Sequence, residues 1–175
     1  MGGKIKIMNQ ELEQKLVEKY PKILRNYRGD MTQTCMAWGM EHDDGWYNLL
    51  DECMAKLQYC CDLFSSAGDD REVQVVADQI KEKYGTLSFY TSVYGANKIE
   101  NDIFDDIISE AERKSARICE VTGEYGEACR RGGWFRTLCY KEARKEGYIA
   151  CNQGTEDYWK QKDAESLKEP TINSQ

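Results

Sequence analysis

From Trp46 to Phe64 apolar residues recur at intervals of three and four: Trp46, Leu49, Leu50, Cys53, Met54, Leu57, Cys60, Cys61 and Phe64. That spacing draws one continuous stripe and predicts a helix starting near Asp44 with a fully buried face. A second helix is predicted from Ile99 to Arg117. Ile99, Ile103, Phe104, Ile107, Ile108 and Ala111 form its inward side, with acidic residues in its first turns and Arg113, Lys114 and Arg117 in its last. The charge order complements the helix dipole. An earlier helix opens after Asn9, a capping residue, and carries Leu12, Leu16, Val17, Ile23 and Leu24. Pro21 interrupts it, so it kinks or ends there.

Period two replaces period three to four between Val73 and Tyr94. Val73 to Lys83 and Leu87 to Tyr94 read as the strands of a hairpin turning at Tyr84-Gly85-Thr86. Alternation places Leu87, Phe89, Thr91 and Val93 on one face and Ser88, Tyr90, Ser92 and Tyr94 on the other. Between the elements, residues 26 to 41 read as a loop with Cys35, Met36 and Trp38 tucked inward, and residues 65 to 71 as a polar loop. A short helix is expected near Leu138 to Glu146. Beyond Asn152 the chain is polar, ending in a frayed tail at Pro170 to Gln175. The fold class is therefore α+β: a small antiparallel sheet built on the hairpin near 73–94 and packed by two main helices, with a degenerate zinc-knuckle-like appendage. It forms one domain over 1–151, with a polar C-terminal tail over 152–175.

Composition narrows the function classes. At 175 residues the chain can bury a sizeable core. Its net charge of -7 disfavours general attraction to nucleic acid or to anionic membrane. No run of 18 apolar residues exists, so no membrane-spanning helix is expected, and Met1 to Lys6 lacks an apolar signal core. The eight cysteines include the adjacent pair Cys60 and Cys61 inside the apolar stripe, which reads as buried reduced thiols in a reducing cytoplasm.

The C-terminal third carries a partial metal-site pattern. Cys119-Glu120-Val121-Thr122-Gly123 has the turn of a zinc knuckle, but Thr122 stands where a second cysteine is needed. Cys119, Cys129 and Cys139 are candidate ligands for a surviving site. The other reading is a metal-free turn packing Trp134 and Phe135, and it is the one favoured, with no cofactor expected. His42 sits among carboxylates in Glu41-His42-Asp43-Asp44, which reads as an acid/base or cation site or simply as surface charge with Asp43 or Asp44 capping the helix that follows. Arg130, Arg131 and Arg136 flank Trp134 in a basic island suited to phosphate and base stacking. With Tyr90 and Tyr94 they make a candidate ligand pocket. The same arginines can instead pair with Asp102, Asp105 and Asp106, three acidic residues that are themselves candidate contacts for a basic partner.

Several segments match one pattern in order. They are Cys35-Met36-Ala37-Trp38-Gly39, Asp44-Gly45-Trp46-Tyr47-Asn48-Leu49-Leu50, Gln79 to Tyr90, Ala116-Arg117-Ile118-Cys119-Glu120 and Gly133-Trp134 through Thr137-Leu138-Cys139. Together they resemble a family of small tailed-bacteriophage proteins with a zinc-ribbon-like Cys-Glu-x-x-Gly turn. Here the ligand set of that turn is incomplete, over about residues 118–147. The resemblance implies phage origin, the cytoplasm of an infected bacterial host, and no particular reaction. It suggests a non-enzymatic accessory protein that counters host defence, by sequestering a small nucleotide signal or by blocking a host defence protein. The rivals are a metal-dependent enzyme acting on nucleic acid or nucleotides and a minor phage structural protein. The aromatic hairpin edge is compatible with a homo-oligomer.

Overall fold

In a computed structural model, residues 7–67 and 70–167 are described. The tail at Pro170 to Gln175 and the N-terminal residues read for a signal core lie outside them. The order of elements is α1 (Gln10–Lys19), α2 (Tyr47–Ser65), β1 (Gln74–Lys83), β2 (Thr86–Tyr94), α3 (Lys98–Ser115), β3 (Glu127–Arg131), β4 (Trp134–Leu138), α4 (Tyr140–Glu146), β5 (Ile149–Ala150) and α5 (Gln153–Ser166). The fold is α+β with two small antiparallel sheets, β1–β2 and β4–β3–β5.

The first sheet carries the larger core. β1 and β2 pair around a two-residue turn in which Tyr84 and Gly85 both have positive φ, as a tight hairpin requires. A bulge at Asp78 shifts the register between Ala77 and Gln79. α2 packs on β1, α3 on β2, and the two helices on each other. The α2 stripe is buried as its spacing dictates, with Cys60 and Phe64 at its half-buried margin. On its other side β1 is held by the chain after α1, through Ala77 N–H to Ile23 O (2.8 Å) and Glu82 N–H to Glu41 O (3.0 Å).

Local departures from the sequence reading have simple causes. α1 ends before Tyr20-Pro21, since the residue preceding proline resists the helical region. Ile23 and Leu24 reach the same core from a turn. Cys35–Trp38 form a 3-10 turn whose three-residue period sends Met36 inward and leaves Cys35 and Trp38 exposed, Trp38 by 55%. Neither Asp43 nor Asp44 caps α2. Asp44 instead accepts from Asn9 N–H (2.7 Å), while the Asn9 side chain caps α1. α3 begins in a capping box of Asn97 and Glu100. Its buried face runs through Phe104, Ile108, Ala111 and Ser115, which rotates Ile99 (72% exposed) and Ile103 (37%) out to solvent.

The C-terminal third is a unit with its own core rather than a simple appendage. Cys119, Cys129, Leu138, Cys139, Ala143, Tyr148, Ala150 and Trp159 cluster between the second sheet and helices α4 and α5. Residues 153–166, read from the sequence as polar tail, form α5. Asn152 caps this helix, and it buries Trp159 and Glu156.

A polar seam joins the two cores. The Arg136 guanidinium, 5% exposed, bonds Glu120 (2.8 Å), Glu146 (3.1 Å) and Asp43. Asp43 N–H also reaches Glu120 (3.2 Å), and Trp46 Nε1 donates to Ile118 O (3.0 Å). Thr137 Oγ1 donates to Gly85 O (2.7 Å). The backbones come so close that a Cβ on Gly45 would collide with the carbonyl oxygens of Cys119 and Glu120. Burial alone disfavours the Arg136 cation, but the carboxylates more than offset it and raise its pKa. Burial likewise pushes the Glu120 carboxyl up, and Arg136 offsets that only in part.

Removing one member of such a cluster strands the others. We expect Arg136→Ala to cost about 3–5 kcal/mol in urea unfolding. Arg136→Lys should recover only part of this, because an ammonium lacks the fork that meets three carboxylates. Arg131→Ala, on the exposed end of β3, should cost less than about 1 kcal/mol. Similar losses for Arg131→Ala and Arg136→Ala would refute the seam.

Candidate functional site

Strand geometry separates the residues proposed as a ligand pocket. The antiparallel register sets Glu127, Cys129 and Arg131 on one face of β3, opposite Leu138, Arg136 and Trp134; Arg130 projects from the other face with Phe135 and Ile149. Arg130 and Arg131 therefore point in opposite directions. Arg131 lies over the Tyr148 ring (4.8 Å) and donates to Glu146 O (2.6 Å). Arg136 is absorbed by the seam and is not offered to a ligand. Tyr94 is nine residues along β2 from Gly85, the turn that touches Arg136, so about 30 Å of strand separates them. Tyr90 and Tyr94 are capped instead by Lys81 (5.7 Å) and Arg25 (4.8 Å). The arginines do not meet Asp102, Asp105 and Asp106 either. Those three are exposed on α3, with Asp102 paired to Lys98 (3.1 Å).

The cysteines share a core without forming a ligand set. Gly123 N–H closes on Cys119 O (2.9 Å) with φ +77°, which is the tight turn expected from the sequence. Cys139 lies within hydrogen-bonding reach of Cys119 and 3.9 Å from Thr122 Oγ1. The Cys129 thiol is directed to the carbonyls of Glu127 (3.1 Å) and Leu138 (3.9 Å), and burial pushes its pKa up to about 12. Among the described residues no group of three or more His, Cys, Asp or Glu is placed to hold a metal ion.

What the fold does assemble is an aromatic groove of about 610 Å³ on the second core. Its walls are Tyr125, Glu127, Leu138, Cys139, Tyr140, Asn152, Gly154, Thr155, Tyr158 and Trp159. Tyr125 lies just ahead of β3 and Glu127 at its start, Leu138 ends β4, and Cys139 and Tyr140 come from the entry to α4. The remainder comes from the cap and first turns of α5. Tyr140 and Trp159 meet edge to face at 5.7 Å. Behind them Arg144 bonds Glu156 (3.0 Å) and Asp163 (3.0 Å) and lies 5.3 Å from the Trp159 ring. Tyr140 OH donates to Asp163 (2.7 Å), while Lys162 stands 4.9 Å from the Tyr140 ring and 5.5 Å from that of Tyr158. Tyr125 OH donates to Glu127, which also receives Arg117 (2.8 Å). Tyr125 and Tyr158 remain more than half exposed.

The groove holds shape more readily than it does chemistry. Hydrogen bonds to Asp163 and Glu127 raise the phenol pKa values of Tyr140 and Tyr125, and burial raises the Cys139 thiol. All three move away from neutrality, opposite to what a general base or thiolate nucleophile needs. The sequence reading missed this site because half of it lies in the presumed tail. Its signal was a cap at Asn152 followed by Glu156, Trp159 and Asp163 at helical spacing.

His42, the lone histidine, is fully buried against Trp46 (5.4 Å). Its Nδ1–H donates to Asp43 O (2.7 Å), and Nε2 has no partner. Burial lowers its pKa, despite the opposing influence of Asp43, Glu13 and Asp44. A histidine whose folded pKa is depressed binds fewer protons folded than unfolded, so its contribution is complete above the unfolded value of 6.5 and is lost as pH falls below it. We expect stability to decline from pH 7 to pH 5 by at most about 1.4 kcal/mol per pH unit from this group. His42→Phe should flatten that slope. An unchanged slope would place the acid sensitivity elsewhere.

No family model, curated protein or solved structure matches the chain.

Proposed function

We propose that this chain is a non-enzymatic accessory protein of a tailed bacteriophage, one that counters a host defence by occupancy. Its working surface is the aromatic groove between the second sheet and α5. The observation that carries the binding part is the groove itself: four aromatic side chains from three elements around about 610 Å³. That volume lies within the range of ligand pockets. The phage part rests on the ordered motifs between roughly residues 20 and 145. Of the two modes of occupancy, the groove favours blocking a host protein over trapping a nucleotide, since the cations beside it are already engaged: Arg117 by Glu127, Arg144 by Glu156 and Asp163, and Lys162 over the Tyr140 and Tyr158 rings. Phosphate recognition draws on such cations.

The double variant Tyr125→Ala/Tyr158→Ala removes two exposed rings and should leave the thermal midpoint nearly unchanged. Supplied from a plasmid to a phage lacking the gene, the wild-type chain should restore plating on defence-proficient hosts. The double variant should not. Equal rescue by both would remove the groove from the function.

A further inference from the structure

We infer that the outer surface of α2 and α3 docks a basic amphipathic helix of a partner protein. This surface lies over the first core and shares no residue with the aromatic groove.

Side-chain pairs fix how the two helices lie. Glu52 meets Lys114 (2.9 Å), Lys56 meets Glu110 (3.1 Å), and Phe64 meets Phe104 edge to face at 5.7 Å, so α2 and α3 are antiparallel. The four ions close one end of the furrow between the helices, since Lys56 also bonds Glu52 (2.9 Å) and Lys114 also bonds Glu110 (3.0 Å). At the other end the same rows turn apolar. Tyr59 and Leu63 continue the α2 row, Ile103 and Ile99 the α3 row, and all four are exposed. Each pair is spaced i, i+4, so two ridges stand side by side with the half-buried Cys60 and Ile107 between them. The periodicity that assigned Ile99 and Ile103 to a buried face is satisfied only when something covers this end.

The backbone selects a helix as the occupant. Within α2 and α3 the main-chain groups already bond inside each helix. An extended segment, which draws its affinity from main-chain hydrogen bonds, finds none to make there. Two ridges at this spacing instead accept the i, i+4 ridge of a third helix.

Charge selects which helix. α2 and α3 together hold nine acidic and four basic residues, which accounts for five of the chain's seven net negative charges. Lys56 and Lys114 are committed to the ion cluster, and Lys98 to Asp102 (3.1 Å). Beside the apolar end Asp62 and Asp106 stand exposed. Among the described residues the Asp62 carboxylate receives only the neutral Gln58 amide (2.9 Å), and Asp106 has no hydrogen-bond or ion-pair partner. Lysines or arginines flanking the apolar stripe of an incoming helix meet these two carboxylates. A second copy of this chain would set its own Asp62 and Asp106 against them, and like charges across an interface oppose docking.

The test is a fluorescence-anisotropy titration of the full chain with a labelled leucine–lysine peptide of about 18 residues, roughly five helical turns. Its leucines fall on one helical face. One companion peptide has the same composition with the leucines scattered, and another carries glutamate for lysine. Sedimentation of the chain alone reports self-association, and the amide resonances of Tyr59, Leu63, Ile99 and Ile103 report where a peptide lands. The amphipathic basic peptide should shift those resonances. Ile99→Ser/Ile103→Ser should weaken it about tenfold, as loss of anchoring side chains does, with the thermal midpoint nearly unchanged. Asp62→Asn/Asp106→Asn should weaken it about fivefold and flatten its salt dependence, whereas Asp157→Asn on α5 should do neither. Equal binding of either companion peptide overturns the inference, as does an equal loss with Asp157→Asn, which would mean general charge attraction. Peptide binding that leaves the four resonances in place also overturns it. So does a dimer that Ile99→Ser/Ile103→Ser disperses, since a second copy then covers the face. All of these outcomes leave the aromatic groove to be judged by plating alone.

Discussion

The Arg136 guanidinium is the constraint on which the rest of the architecture depends. It meets carboxylates from three separate stretches of chain: Asp43 ahead of α2, Glu120 in the turn after α3, and Glu146 at the end of α4. Each of the two apolar cores is continuous within itself, and the contacts between them are hydrogen bonds, ion pairs and close backbone approaches. Hydrophobic burial therefore accounts for each half, but its lack of direction cannot set the angle between them. A planar, five-donor fork can. That division explains why Glu120 is tolerated at 1% exposure although burial disfavours its carboxylate form.

The same logic accounts for what the sequence disclosed. The first core was legible because its elements bury whole faces. The α2 stripe, the alternation of β2 and the charge order of α3 are each fixed by one period, and all three elements stand where those periods place them. The second sheet was not legible because its strands are five residues or fewer and bury only one to three side chains each. One local signal was present: Gly132-Gly133 between Arg131 and Trp134 is a two-residue hairpin turn. Ile99 and Ile103 show the converse error. Periodicity admitted them to the buried face of α3, but packing against α2 and β2 rotated that face toward Phe104 and Ile108.

The candidate site was less legible than the fold, for a physical reason. Arg130, Arg131 and Arg136 look like one basic island when written as a line. Folded, period-two alternation sends the first two to opposite faces, and register carries the third beneath the hairpin turn. Proximity in sequence was a poor guide to proximity of charge. The groove has the opposite character. Tyr125, Tyr140 and Tyr158 are far apart in sequence, and only the docking of α5 brings them to one surface.

That docking is itself mostly electrostatic. α5 buries one large apolar side chain, Trp159, and is otherwise tied down through Arg144, which reaches Glu156, Asp163 and the carbonyl of Tyr148. Glu156 in turn accepts from Ala150 N–H (2.8 Å), linking the helix to the edge of the sheet. The rings of the groove are thus backed by an ion network, with Trp159 buried against it and Tyr158 left exposed. A helix secured by a broad apolar face would have had to bury those rings to gain its stability. Because α5 is secured by Arg144 instead, Tyr158 can remain exposed on a rigid support, which is the condition a preorganised binding surface requires.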